Sequence, residues 1–256
     1  MSTHHAAERG NASLAIHPDA HAAARAVAER FAARAAQAVQ ARGRFSVALT
    51  GGSGPVEAYR LLGDEPFRSR IPWHGVHLFW GDERCVPPGH ERSNFRMANR
   101  AFVARVPIPP AHVHRMRGEL PPAEGAARYA DELGAFFGGG TPRFDLVHLG
   151  VGPDAHVASL FPFSDPLHER GRAVTTNLHL PDGEPRLTLT LPVLNGAARV
   201  EMIVIGESKA DVVWTVLRGP LDPFRLPAQL VRPVDGALVW VMDRAAAGRV
   251  EDADGA

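Results

Sequence analysis

Residues 144–162, FDLVHLGVGPDAHVASLFP, constrain the fold more than any other stretch of the 256-residue chain. The strand-like run Phe144–Leu149 reads as a buried strand, and it empties into Gly150-Val151-Gly152-Pro153. Strands of that kind belong to parallel sheets covered by helices. Glycines at the strand's end deliver the next polar side chains, Asp154 and His156, to the carboxyl edge of the sheet, where such folds bind their ligands. An Asp and a His two residues apart at that edge are placed for proton transfer. The simpler alternative is a tight turn in which Asp154 caps a short helix.

The rest of the chain repeats the alternation of strand and helix. Asp19 can cap an Ala-rich helix reaching about Arg42, with Gly43 just past its end. Strands are expected at Phe45–Leu49, Val76–Trp80, Val113–Met116, Leu187–Leu191, Val200–Ile205 and Leu238–Met242. Helices are expected at Val56–Leu62, from a Ser93 cap to about Val103, at Ala123–Phe137 and at Glu207–Leu217. This pattern implies an α/β fold: a Rossmann-like, mostly parallel sheet with helices on both faces. Residues 1–14 read as a disordered N-terminus, 15–245 as a single domain and 246–256 as a helical C-terminal tail.

Composition narrows the function. Lys plus Arg and Asp plus Glu balance at 28 each, so no net field favours nucleic acid or membrane. Any anion must be held by a local cluster. The single cysteine, Cys85, excludes an internal disulfide and fits a reducing cytoplasm. Two preceding carboxylates raise the pKa of its thiol and make it a spectator. The first residues lack an apolar core segment, so no signal peptide is expected. No apolar run approaches the roughly 18 residues of a bilayer span.

Three further segments carry chemistry. The first is TGGSGP, residues 50–55, between a strand and a helix. Gly51 and Gly52 let the backbone approach an anion, and Thr50 and Ser53 add hydroxyl donors. It is no Walker loop, which needs Gly-Lys-Ser/Thr, and Pro55 spoils the Gly-x-Ser-x-Gly of a serine nucleophile. The second is GDERCVP, residues 81–87, followed by Ser93-Asn94. Asp82, Glu83 and Arg84 can form an internally compensated ion cluster; otherwise they are a solvated charge run. The third pairs Arg186, at the start of a strand, with Lys209 in the first turn of a helix. A cation there opposes the helix dipole, which suggests an anionic partner. The weak dinucleotide fingerprint Gly150-x-Gly152-x-x-Ala155 is rejected, because Pro162 and Pro166 cut any helix short and no second strand follows. The histidines form no HExxH framework, and His74, His77, His112 and His114 read as structural or exposed.

With these segments together, the chain resembles the 6-phosphogluconolactonase family and the wider superfamily that includes glucosamine-6-phosphate deaminase. The resemblance runs from about residue 15 to 245. It rests on the ordered series TGGSGP, WGDERCVP with SNFRMA, FDLVHLGVGPDAHVASLFP, RLTLTLP, GESKA and LPAQLV.

The resemblance implies hydrolysis of 6-phospho-D-glucono-1,5-lactone in the oxidative pentose phosphate pathway, by a cytoplasmic enzyme that needs no metal or cofactor. His156 matches the general base, Asp154 the aspartate beside it, and Asp82 the aspartate of the DER loop. Arg84 matches an active-site arginine; either it or backbone N–H groups would stabilise the oxyanion. Thr50, Gly51, Gly52 and Ser53 match the phosphate-side loop, with Arg186 and Lys209 as basic partners. The implied partner is a small sugar phosphate, with no nucleic acid or membrane, and the protein a monomer or weak homo-oligomer. Two residues depart from the family pattern: Ala155 replaces the glycine of Asp-Gly-His, and Gly54 the threonine of Gly-Gly-Ser-Thr-Pro. We expect Ala155 to adopt helical or extended backbone, since a left-handed conformation would cost it about 1 kcal/mol or more. Deaminases carry a glutamate where this chain has Phe161, and a non-catalytic sugar-phosphate regulator would have lost Asp154 and His156.

Overall fold

Every residue of Phe45–Leu49 and of Leu146–Leu149 is buried, as interior strands of a doubly covered parallel sheet must be. The computed structural model describes residues 12–178, 180 and 182–254. In chain order its elements are β1 (Ala12–His17), α1 (Ala20–Arg42), β2 (Phe45–Leu49), α2 (Val56–Leu62), α3 (Phe67–Arg70), β3 (Val76–Trp80), β4 (Asp82–Arg84), α4 (Asn94–Ala101), α5 (Pro122–Phe137), β5 (Leu146–Leu149), β6 (Val174–Asn177), β7 (Arg186–Leu189), α6 (Leu191–Gly196), β8 (Arg199–Val204), α7 (Ala210–Arg218), β9 (Ala237–Asp243) and α8 (Arg244–Asp254). Short 3₁₀ turns join several of them.

Six strands form the main sheet in the order β1-β9-β8-β5-β2-β3, with every neighbouring pair parallel. Side chains alternate between its faces. Met202 and Val204 of β8 and Trp240 and Met242 of β9 belong to one hydrophobic cluster. Their neighbours Ile203, Val239 and Val241 pack with Ala24, Val27 and Ala58 in another. Helix α1 begins where Asp19 accepts a hydrogen bond from the Ala22 N–H at 2.8 Å and ends at Gly43 with φ 74°.

The strand order locates the site. From β2 the chain steps to β3 on one side, then returns to the other side of β2 as β5 and continues to β8 and β9. The loops leaving β2 and β5 therefore diverge, opening a crevice at the carboxyl edge of the sheet. A second, antiparallel sheet of order β4-β7-β6 stands at that edge. Gly81 ties the two sheets together: its N–H donates to the Leu49 carbonyl and its own carbonyl accepts from the Leu189 N–H, both at 2.8 Å.

Four expectations need correction. Residues 12–14 are not disordered: they open β1, which pairs residue by residue with β9. The remaining N-terminal residues, 1–11, lie outside the described residues. Past residue 245 the chain is helical as expected, but this helix, α8, is no tail outside the domain: its Ala246, Ala247 and Val250 are buried in the main core. Val113–Met116 makes no strand; Val113 contributes one isolated parallel bridge to Leu78. The strand expected to reach Leu191 stops at Leu189, because Thr190 starts α6 with Pro192 in its first turn.

Candidate active site

The loops after β2 and β5, the β4–β7 ladder and the start of α7 enclose one cleft of ≈ 350 Å³. Thr50, Gly51, Gly52, Ser53, Asp82, Arg84, His156, Arg186 and Lys209 all line it. Asp154 does not. It faces a wider neighbouring cleft of ≈ 860 Å³, which also includes Arg172 and Asn177.

His156 is held from three sides. Its Nδ1 lies 2.5 Å from Asp154 Oδ1, and the same oxygen accepts from the His156 N–H at 3.3 Å. Asp154 thus closes a turn around the histidine; residues 150–163 contain no helix for it to cap. The Phe161 ring stacks on the imidazole at 4.0 Å between centroids. Gly152 lies against its edge, where a Cβ would come 2.1 Å from Nδ1. Burial pushes the Asp154 carboxyl up, but the hydrogen bonds and charge of His156 outweigh it and leave the carboxyl below its ordinary value.

The loop that presents this pair is strained. Ala155 has φ 66°, Ala158 φ 48° and Phe163 φ 57°. The expectation of helical or extended backbone at Ala155 is therefore wrong. Its conformation is set by tertiary contacts: its N–H donates to the Gly152 carbonyl at 3.0 Å and its carbonyl accepts from the Ala228 N–H at 2.9 Å. Left-handed non-glycine residues persist where the surroundings over-determine them, and they gather at functional sites.

Asp82 is buried at the cleft wall. Ser159 Oγ donates to its Oδ2 at 2.7 Å and Asn94 Nδ2 to its Oδ1 at 3.1 Å. Gly51 makes room for that amide, since a Cβ there would lie 2.0 Å from Asn94 Oδ1. Asp82, Glu83 and Arg84 do not form the ion cluster allowed by the sequence, nor a solvated run. Glu83 is buried and accepts from the backbone N–H groups of Arg84, Asn94 and Phe95 and from Ser93 Oγ, at 2.7–3.0 Å. It anchors the start of α4. Burial raises its pKa, and the backbone donors pull the other way. The Arg84 guanidinium donates instead to the Arg92 carbonyl at 2.6 Å. Asn94 and Ser159 are the site residues that sequence reasoning missed. The signals were present, in Ser93-Asn94 beside the DER loop and in the SLFP run.

The basic residues converge as expected. Arg84 and Arg186 are paired directly across the β4–β7 ladder. Arg186 is buried and bonds Asp182, while its Nε donates to the Glu184 carbonyl at 3.2 Å. Lys209 ends a 3₁₀ turn that runs straight into α7, and its Nζ donates to the Val151 carbonyl at 2.7 Å. Burial lowers its pKa, opposed by the Asp154 charge. The Thr50 hydroxyl accepts from the Gly150 N–H at 3.3 Å, joining the two diverging loops.

Residues 18–240 match the family described as glucosamine-6-phosphate isomerases/6-phosphogluconolactonase. The chain belongs to this family. Within it, the chain is 39% identical over 217 residues to a 6-phosphogluconolactonase of Synechocystis, covering 83% of this chain and 88% of that one. It is 34% identical over 200 residues to the 6-phosphogluconolactonase of Haemophilus influenzae, covering 78% and 85%. Among solved structures, the devB protein superposes with a TM-score of 0.86 at 31% identity, covering 93% of this chain and 99% of that one. The 6-phosphogluconolactonase of Thermotoga maritima superposes at 0.77 with 29% identity, covering 91% and 99%. Family membership agrees with the parallel sheet and with the order of the motifs around the cleft.

Proposed function

We propose that the protein hydrolyses 6-phosphoglucono-1,5-lactone to 6-phosphogluconate, with His156 as general base. The observation that carries this reading is the Asp154–His156 pair at the rim of a cleft shared with Arg84, Arg186 and Lys209. With Nδ1 bonded to Asp154, the imidazole keeps its Nε2 lone pair for a water molecule. The water oxygen attacks the lactone C1 as Nε2 takes its proton. The tetrahedral intermediate then expels the ring oxygen, which takes the proton back from the imidazolium, leaving an open-chain hydroxy acid that ionises in neutral solution. Asp154 holds the ring orientation and stabilises the imidazolium. Arg84 or backbone N–H groups balance the oxyanion, and Asp82 faces the same cleft, oriented by Ser159 and Asn94.

The phosphoryl group would lie between the Thr50–Ser53 loop, Arg186 and Lys209. Anchored there, it orients the lactone from a distance, so that remote binding energy serves the chemistry. The histidine–water route uses protein groups alone. Among the described residues, no group of three or more His, Cys, Asp or Glu could hold a metal ion, and no helix is long and apolar enough to cross a membrane. A cytoplasmic location is inferred from the single cysteine, which leaves the fold without an internal disulfide. Phe161 favours lactone hydrolysis over amino-sugar deamination, since its apolar ring packs on His156 where the deaminases carry a glutamate.

The test is an assay with freshly generated 6-phosphogluconolactone, coupled to consumption of 6-phosphogluconate and corrected for spontaneous hydrolysis. Turnover well above the spontaneous rate is expected. A rate equal to the background would overturn the reading.

A further inference from the structure

The pairing of Arg84 with Arg186 across the β4–β7 ladder sets two like charges directly opposite one another, which is unfavourable unless an anion lies nearby. Arg186 is also buried, and a buried guanidinium needs a counter-charge. Two carboxylates answer this need in different ways. Glu184 is 7% exposed, pairs with Arg92 at 2.7 Å and stands 3.9 Å from Arg186. It is buried, and its Oε2 accepts no hydrogen bond from the described residues. Asp182 bonds the Arg186 Nη2 directly, yet its side chain is 46% exposed. It lines the same cleft as His156, Arg84 and Lys209. Burial raises the Asp182 carboxyl, but the Glu184 N–H and the charges of Arg186 and Arg84 outweigh it and leave it below the ordinary value. The Asp182 carboxylate therefore senses both arginines.

We propose that Asp182 sets the affinity of the cleft for phosphorylated ligands: its carboxylate holds the Arg186 guanidinium in the free protein and is displaced by the substrate's phosphoryl group. This rests on the reading of Arg186 as a phosphate partner. Guanidinium forks bind carboxylate and phosphate through the same N–H groups, so the two anions compete. A half-exposed carboxylate returns to water easily, whereas buried Glu184 remains as the permanent counter-charge. The competition weakens substrate and product alike, which keeps the ionised product from lingering after hydrolysis. Partly exposed ion pairs are worth up to about 1 kcal/mol, which corresponds to a two- to fivefold effect on binding.

The test compares Asp182→Asn, Asp182→Glu and Arg186→Gln with the parent protein. Inorganic phosphate is the competitive inhibitor, and 6-phosphogluconolactone and unphosphorylated gluconolactone are the substrates. For Asp182→Asn, KM for the phosphorylated lactone and Ki for phosphate should each fall about two- to fivefold. KM for gluconolactone should stay constant, and Asp182→Glu should retain parent values. If Arg186→Gln raises Ki while Asp182→Asn leaves it unchanged, the competition is overturned and Arg186 stands as a phosphate partner. If neither variant changes Ki, that reading of Arg186 falls, and the role of Asp182 with it.

Discussion

Gly152 abuts the His156 ring so closely that a Cβ on it would lie 2.1 Å from Nδ1 and 2.2 Å from Cε1. The obstructed atoms belong to a side chain, not to backbone, so the ring can swing aside. We therefore expect Gly152→Ala to fold with near-parental stability and lose most of its turnover. A melting temperature within a few degrees of the parent, together with a fall of at least tenfold in kcat, is the expected pair of results. An active variant would show that the Asp154–His156 geometry does not matter.

Removing the base itself should cost more. His156→Ala is expected to lower turnover of 6-phosphogluconolactone by roughly 10²–10⁴-fold, the scale of general-base loss. Asp154→Asn should lower kcat with little change in KM, because Asp154 orients the imidazole from outside the main cleft. Its carboxyl lies below the ordinary carboxylate value, so it is ionised throughout the neutral range. Steady-state kinetics, corrected for spontaneous hydrolysis, decide both. Normal turnover in His156→Ala would remove it from the mechanism.

Lys209 should act through binding. Its ammonium is half-buried and holds the Val151 carbonyl, leaving two of its three protons for an anion. Lys209→Ala is expected to raise KM about tenfold or more for the phosphorylated lactone, and far less for gluconolactone. Equal effects on the two substrates would mean that Lys209 serves only to hold the β5 loop.

Much of this was legible in the sequence because local rules and tertiary structure agree. Asp19 and Gly43 mark the two ends of α1, and the mostly apolar strands β2 and β5 lie buried at the centre of the sheet. The misses are elements whose reasons are not local. Strand β1 is a partly exposed edge strand held by its pairing with β9, and β4 is three polar residues held by β7. Asn94 and Ser159 meet Asp82 only after α4 and the β5 loop have packed. The DER run allowed an ion cluster or a solvated stretch, yet Glu83 is buried because the start of α4 supplies its donors. No propensity scale foretells such a partnership.

A buried pair outside the site predicts acid sensitivity. His148 and Glu201 are register partners on β5 and β8, both fully buried, with Nε2 3.8 Å from Oε2. That distance is too long for a hydrogen bond. Burial lowers the His148 pKa from 6.5 to about 3 and raises that of Glu201, so both shifts disfavour the ion pair. Between pH 6.5 and about 3 the unfolded chain binds a proton at this histidine that the folded chain refuses. Stability is then fully present above 6.5 and falls with falling pH, by up to about 1.4 kcal/mol per unit. Glu201 has the opposite sign, losing stability as pH rises above 4.5. His148→Leu should therefore flatten the acid limb of a urea-melt series relative to the parent. Identical slopes would show that His148 does not titrate on unfolding.

Ala155 separates strain from packing. Its left-handed backbone costs an L-residue about 1–2 kcal/mol, which glycine would recover. Against this, glycine sacrifices a buried methyl worth about 0.8 kcal/mol and adds about 0.4–1 kcal/mol of unfolded-chain entropy. The terms nearly cancel, so Ala155→Gly should lie within about 1 kcal/mol of the parent. Ala155→Val should not. A β-branched side chain at positive φ is a true outlier, and this position is fully enclosed. We expect Ala155→Val to lose more than about 2 kcal/mol in urea denaturation. Its turnover should fall as well, because any relaxation of this residue shifts its neighbour His156. If the valine variant were as stable as the parent, residue 155 would have to adopt ordinary extended or helical backbone, contrary to the φ of 66°.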